Sequence, residues 1–262
     1  MTDTLDKALS AARDAAGAAA EIIQHYWRAG VDVITKGDDT PVTVADRESE
    51  LAIREILARA MPEAGIYGEE YGADDISREW LWLVDPLDGT KSFVRRTPFF
   101  STQIALMHHG ELVLGVSSAP IYGERMWAVK GRGAWLDGER VQVADTSAFA
   151  QASISTGNVK TLTTDARWDV LGQMIRDSNR IRGYGDFCHY HLLARGGVDL
   201  VIESDVNILD IAPLAVIVRE AGGVFTELDG GPVGLETRGI LAGTPAIHAE
   251  ALERFRGVTI GR

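Results

Sequence analysis

Residues 80–90 read WLWLVDPLDGT, and this stretch constrains the chain more than any other. Trp80, Leu81, Trp82, Leu83 and Val84 form an unbroken apolar run of strand length, the pattern of a buried strand. It runs directly into Asp85-Pro86-Leu87-Asp88-Gly89-Thr90. Proline has no N–H to give a sheet and glycine permits a tight turn, so the strand is expected to stop at Pro86 and the backbone to turn at Gly89. Two carboxylates three residues apart on such a turn can converge on one cation. The N–H groups of Gly89 and Thr90, if they open a short helix, suit a phosphate oxygen. The bland alternative is a strand end whose aspartates accept turn hydrogen bonds; the added Pro and Thr and the buried strand favour a functional loop. A haloacid-dehalogenase loop, Asp-x-Asp-Gly-Thr near the chain start, does not fit, because the spacing here is three and the loop lies in mid-chain.

Such a loop needs a scaffold, and 262 residues suffice for one large domain or two fused halves. With 45% hydrophobic and 24% charged residues the chain can bury a core without a disulfide or structural metal. Lys and Arg number 26 against 38 Asp and Glu, a formal charge of −12 that argues against nucleic acid as a partner. Cys188 is the single cysteine, so no intramolecular disulfide or cysteine-based zinc site is open to the chain, and a reducing cytoplasm is expected. The opening MTDTLDKALS has no apolar core of a leader, and no run approaches the ~18 apolar residues of a membrane span.

Three- and four-residue spacing of Leu5, Ala8, Ala12, Ala15, Ala19 and Ile23 predicts a helix over 4–29. Residues 31–42 read as a loop, with Thr43 a cap before a helix at 48–60. Strands are predicted at 66–68, 80–84, 101–107, 112–118 and 125–129, joined by turns such as His109-Gly110 into an antiparallel sheet. Beyond about residue 145 helices (164–177, 187–194, 210–221, 246–256) alternate with strands (152–155, 198–203, 223–226, 239–242). The expected division is therefore 1–145, carrying the metal site, and 146–262, completing the substrate pocket.

Four blocks in order, KGDDTPVTVAD at 36–46, Gly68-Glu69-Glu70, DPLDGT at 85–90 and LDIAPLAVIVREAGG at 209–223, make the sequence resemble the inositol monophosphatase family. The resemblance implies an α/β (α+β) layered sandwich of the αβαβα type, shared with fructose-1,6-bisphosphatase, and a homodimer. It implies two or more Mg²⁺ ions: one held by Glu69, Asp85 and the Leu87 carbonyl, a second by Asp85, Asp88 and Asp210. Oxygen-only donors suit such a hard cation. It further implies that Thr90, oriented by Asp46, prepares a metal-activated water with Glu69 beside it, that Gly89 and Thr90 grip the phosphoryl group, and that Lys36 organises the nearby loop. Read without the family, Glu69 is surface charge and Asp210 a helix cap. Where the family usually has Trp before the last aspartate, this chain has Leu209.

The stretch RIRGYGDF at 180–187 looks like the histidinol-phosphatase branch. Histidinol phosphate carries an ammonium group and an imidazole, which Asp186 and Glu203 can pair with, whereas inositol is a neutral polyol. Arg182 is a phosphate contact or a structural ion pair, and Asp186 is a substrate contact or a cap. The expected activity is hydrolysis of the phosphate monoester L-histidinol phosphate. Inositol-1-phosphate, phosphoadenosine phosphate or fructose bisphosphate are the alternative substrates, and a regulatory binding protein on the same fold is the rival of another class. His108 and His109 read as a turn and not a metal pair, because neighbours in a strand point apart. His189 and His191, two apart on a helix, are poor partners for one ion.

Overall fold

The computed structural model describes residues 2–30, 33–35 and 41–256; Lys36 lies outside the described residues. The chain divides into two compact units, Met1–Glu139 with Leu209–Ile217, and Arg140–Ile208 with Val218–Arg262. Asp210 thus belongs with the N-terminal unit, although the Arg140–Ile208 segment of the other unit precedes it in the chain.

Elements of the first unit follow in chain order: α1 (Thr2–Ala29), β1 (Val33–Thr35), β2 (Pro41–Thr43), α2 (Val44–Ala60), β3 (Gly65–Gly68), β4 (Gly72–Ala73), β5 (Trp80–Asp88), α3 (Thr90–Val94), β6 (Ser101–His108), β7 (Glu111–Ala119), β8 (Glu124–Val129) and β9 (Ala134–Leu136). The alanine stripe of α1 is buried, and its small side chains let the helix lie close against α2 and the sheet. Two expectations need correction here. The 31–42 stretch contains a small antiparallel hairpin, Val33 opposite Thr43. Helix α2 begins at Val44 rather than residue 48, because Thr43 and Asp46 form a reciprocal capping box that satisfies the first-turn N–H groups.

With β10 (Glu139–Val141) at one edge, the eight-stranded sheet runs β10-β9-β8-β7-β6-β5-β3-β4, and of the pairs from β9 to β4 only β3/β5 is parallel. The expected stop at Pro86 is also corrected: β5 continues to Asp88 through a register shift between Asp85 and Asp88. A bulge is where a sheet tolerates proline, since the residue out of register owes no ladder hydrogen bond. Asp85 and Asp88 flank that shift, opposite Gln103 and Ser101 of β6.

The helix α6 (Ile208–Glu220) gives its 209–217 stretch to this unit. That stretch crosses β7 at Gly115, where a Cβ atom would stand 2.4 Å from the Pro213 carbonyl oxygen. Only glycine allows so close a backbone approach, and it fixes the height of the turn that carries Asp210.

The second unit contains β11 (Ser153–Thr156), α4 (Arg167–Asp177), β12 (Arg180–Arg182), α5 (Asp186–Ala194), β13 (Leu200–Ser204), β14 (Val224–Glu227), β15 (Gly239–Gly243) and α7 (Pro245–Arg256), with β10 (Glu139–Val141) where the chain passes into it. Its five-stranded sheet has order β12-β11-β13-β15-β14, with β11 parallel to both neighbours and the rest antiparallel. Ile154, Leu200, Ile202, Leu241 and Ile247 centre its core. Substituting Gly115→Val should lower stability by ~1–3 kcal/mol through overpacking against Pro213, read as a fall in the urea midpoint. A midpoint unchanged within error would contradict the close approach.

Candidate active site

Four carboxylates of the first unit meet at the end of β5. One oxygen each from Asp85, Asp88 and Asp210 lies within 4.8 Å of the others. Asp85 is buried and the other two are half-buried. Glu69 joins them because β3 is parallel to β5, with Gly68 opposite Val84, so both strands deliver their C-terminal ends to one place. The Glu69 N–H donates to the Val84 carbonyl at 3.2 Å, and its carboxyl hydrogen-bonds with that of Asp85. The remaining Asp85 bond is local, from the Leu87 N–H to Oδ1 at 2.9 Å.

Burial pushes the Asp85 carboxyl well above its ordinary range, and the charges of Glu69, Asp88 and Asp210 push it further. The charged groups that shift Asp85 are all carboxylates, and none of these neutralises its charge. A divalent cation would, and the donors are all oxygen, the set that hard cations such as Mg²⁺ take. The residues therefore fit the expected metal.

Beside the acids, Gly89 has φ +88° and caps α3. A Cβ there would stand 2.5 Å from the Phe99 carbonyl, so the turn demands glycine. The Thr90 hydroxyl lies 2.9 Å from Asp46 Oδ1 and 3.1 Å from the Leu87 carbonyl. Asp46 Oδ2 accepts from the Thr43 N–H at 2.8 Å and the Thr43 hydroxyl at 2.5 Å. The capping box of α2 thus also holds Asp46 against Thr90. Burial raises the Asp46 carboxyl and the Glu69 charge adds to that, while hydrogen bonds from Thr43 and Thr90 pull it back without cancelling the rise.

Two residues of this centre escaped the sequence reading. Gln103, opposite Asp85, donates through Nε2 to the Ser101 hydroxyl at 2.7 Å, and Ser101 lies 3.3 Å from Asp88 Oδ2. Their signal was the polar run Ser101-Thr102-Gln103 opening an otherwise apolar, fully buried strand.

The second unit holds a separate carboxylate cluster. Glu203 Oε2 accepts from the Tyr190 hydroxyl at 2.7 Å and lies 3.1 Å from His189 Nε2, while Oε1 accepts from the Asn158 N–H at 3.2 Å. His189 Nδ1 lies 3.4 Å from the Ser155 hydroxyl. Burial alone would raise Glu203, but the His189 charge and the bonds from His189, Tyr190 and Asn158 outweigh it and leave the carboxyl below its usual range. Asp186, by contrast, is raised to about 6, by burial first and then by the Glu203 charge. It does not cap α5: Gly185 holds that position without a side-chain bond, and Asp186 itself sits at φ +46°, a strained backbone for a non-glycine residue. The sequence reading weighed His189 only as a metal ligand and did not single out Tyr190, although they stand three and four residues after Asp186 on one helix face. Arg182 is exposed and its guanidinium donates to the Ile181 carbonyl at 2.7 Å; among the described residues it forms no ion pair.

Residues 4–259 match the family model described as the inositol monophosphatase family. The chain belongs to the inositol monophosphatase family. A histidinol-phosphatase of Mycobacterium tuberculosis is 41% identical over 231 residues, covering 84% of this chain and 86% of that protein. A histidinol-phosphatase of Streptomyces coelicolor is 37% identical over 261 residues, covering 96% and 97%. Among solved structures, the extragenic suppressor protein SuhB of Bartonella henselae superposes with a TM-score of 0.87 at 28% identity, covering 96% of this chain and 99% of that one. The layered α/β fold is thus the family's, and the family's phosphatases are metal-dependent enzymes, as the acidic centre here accords with. No helix among the described residues is long and apolar enough to cross a membrane.

A carboxyl raised in the folded state binds more protons folded than unfolded, so its ionisation costs stability as pH rises. In chelator, thermal stability should therefore fall as pH rises above the ordinary aspartate range, because of Asp85 and Asp46. Magnesium at ~100 times its dissociation constant should restore about 2.7 kcal/mol, and Asp85→Asn should flatten the chelator profile. A profile equally steep in the variant would count against this origin.

Proposed function

We propose that the chain is a Mg²⁺-dependent phosphomonoesterase that hydrolyses L-histidinol phosphate to L-histidinol and phosphate, the reaction of histidine biosynthesis. The observation that carries the phosphatase reading is the gathering of Asp85, Asp88 and Asp210 oxygens with Glu69 on Asp85, next to the Gly89–Thr90 turn. Glu69, Asp85 and the Leu87 carbonyl would hold one magnesium, and Asp85, Asp88 and Asp210 another, with Asp85 common to both. Bound there, the metal supplies positive charge against the phosphoryl oxygens and lowers the pKa of water.

The chain's own groups do the rest. The N–H groups of Gly89 and Thr90, with Asp210, orient the ester. Thr90 donates its hydroxyl proton toward Asp46, which turns the hydroxyl oxygen into an acceptor for a proton of the attacking water. Asp46 suits the receiving end of that relay, since burial raises its proton affinity. Glu69, beside Asp85, completes the catalytic set. Attack by water in line with the leaving alkoxide needs no phospho-enzyme.

For the organic part of the substrate, relatives named histidinol-phosphatase support histidinol. The chemistry agrees: a cation asks for buried carboxylates, and we assign Asp186 and Glu203 to it, with Arg182 as a further substrate contact. A half-buried acid near pKa 6 is well placed to be held ionised by an incoming ammonium or imidazolium group. The reading also includes a homodimer, on the family resemblance, and a reducing cytoplasm, on the single half-buried thiol of Cys188.

The test is phosphate release from histidinol phosphate, inositol-1-phosphate, phosphoadenosine phosphate and fructose bisphosphate, with Mg²⁺ and with chelator. Histidinol phosphate should lead by at least tenfold in kcat/KM, ~1.4 kcal/mol, and chelator should abolish all turnover. Equal use of inositol phosphate would remove the substrate assignment, and turnover in chelator would remove the metal. A second expectation concerns Asp186→Asn. It should raise KM for histidinol phosphate more than it lowers kcat, and the wild-type advantage in kcat/KM should shrink as pH falls through about 6, where Asp186 takes up its proton. An advantage independent of pH would deny Asp186 the role.

A further inference from the structure

At the far end of β5 from the acids, a second convergence of donor atoms has no part in the proposed reaction. Glu79 precedes β5, and His108 and His109 lie where β6 turns into β7. The loop is the two-residue His109-Gly110, with φ of +49° and +80°, the hairpin turn whose twist matches its strands. In an extended strand His108 and His109 would face opposite ways, which was the reason for dismissing them as co-ligands. The left-handed backbone of His109 breaks that alternation and swings its ring to the side of His108, leaving the ring centroids 4.3 Å apart.

Both rings then face one carboxylate. His108 Nε2 lies 2.9 Å and His109 Nε2 3.5 Å from Glu79 Oε1, and one donor atom from each of the three residues lies within 4.8 Å of the others. Around a tetrahedral zinc ion with bonds of ~2.0–2.1 Å, neighbouring ligand atoms stand ~3.3 Å apart. The two measured separations bracket that edge length. The arrangement is also braced. Trp80 pairs across the sheet with His108 and stacks on its ring at 3.8 Å and 19°. The His109 N–H donates to the Glu79 carbonyl at 2.9 Å, which extends the strand ladder by one residue and ties the Glu79 backbone to the turn.

We propose that Glu79, His108 and His109 form a binding site for one borderline divalent cation of the Zn²⁺ and Co²⁺ class, with two imidazole nitrogens, one carboxylate oxygen and an open fourth position. The donor chemistry separates it from the acidic centre: imidazole draws Zn²⁺ and Co²⁺, whereas an all-oxygen set draws Mg²⁺. Glu79 and His109 are exposed, so an ion reaches the site directly from solvent. The hydrogen bond from His108, the main cause, holds the Glu79 carboxyl below its usual range, ready as an anionic ligand. The ion would pin the start of β5 to the β6–β7 hairpin.

The test is titration of the full-length, untagged protein with Co²⁺ in saturating Mg²⁺, read by the visible absorption of the bound ion, with binding stoichiometry by calorimetry. One equivalent should bind with the intense bands of four-coordinate cobalt. His109→Asn and Glu79→Gln should each weaken it at least tenfold, and Asp88→Asn should leave it unchanged. Both substituted side chains are exposed, and far-UV circular dichroism checks that the fold is kept. Failure to bind under Mg²⁺, binding untouched by the two substitutions, or binding lost in Asp88→Asn would each overturn the proposal; the last outcome would place the cobalt among the aspartates.

Discussion

An aspartate buried beside three other acids is the constraint around which the first unit is built. Asp85 has almost no access to water, and Glu69, Asp88 and Asp210 stand close enough to oppose its charge. Left unpaired, such a carboxylate takes up a proton, because desolvation and like charges both penalise the anion. The fold accepts this cost at one place and surrounds it with rigid elements, an investment that is regained when a divalent cation enters. Stability has been conceded where binding needs it.

Each of those elements is held by a local device that does something else as well. The capping box that starts α2 also aims Asp46 at Thr90. The parallel pairing of β3 with β5 puts Glu69 next to Asp85 through the strand register alone. The register shift that excuses Pro86 from the ladder lies between the two aspartates, each of which stays opposite a residue of β6. Because these devices are backbone features, the centre depends little on the rotamers of flexible side chains, which suits a site that must place oxygens within tenths of an ångström.

How much of this the sequence disclosed follows from the range of the physics involved. The DPLDGT segment was legible because its signals are local: an apolar strand, a proline, a glycine and two acids within six residues. Glu69 and Asp210 were not legible by themselves. Their meaning comes from a parallel strand pairing and from a helix crossing at Gly115, and these contacts join residues far apart in the chain; only the family resemblance reached them. Pro86 misled because a rule about hydrogen bonds was applied without the bulge that suspends it. His109 misled for a related reason, since alternation holds only while the backbone is extended. The cluster around Glu203 lay in between, for the helical spacing of Asp186, His189 and Tyr190 is readable, whereas the strand β13 that carries Glu203 to it is not.

The crossing of α6 over β7 has a consequence for how the molecule comes into being. A ribosome has released Asp85 and Asp88 long before it reaches Asp210, and the whole of β11 to β13 is made in the interval. Until residues 209–217 exist, β7 lacks the helix stretch that packs on Gly115 and the set of acids is one member short. A polypeptide ending before residue 209 would carry the loop that looks most like an enzyme and still lack the last oxygen donor, so the order of synthesis keeps the centre incomplete until most of the chain exists.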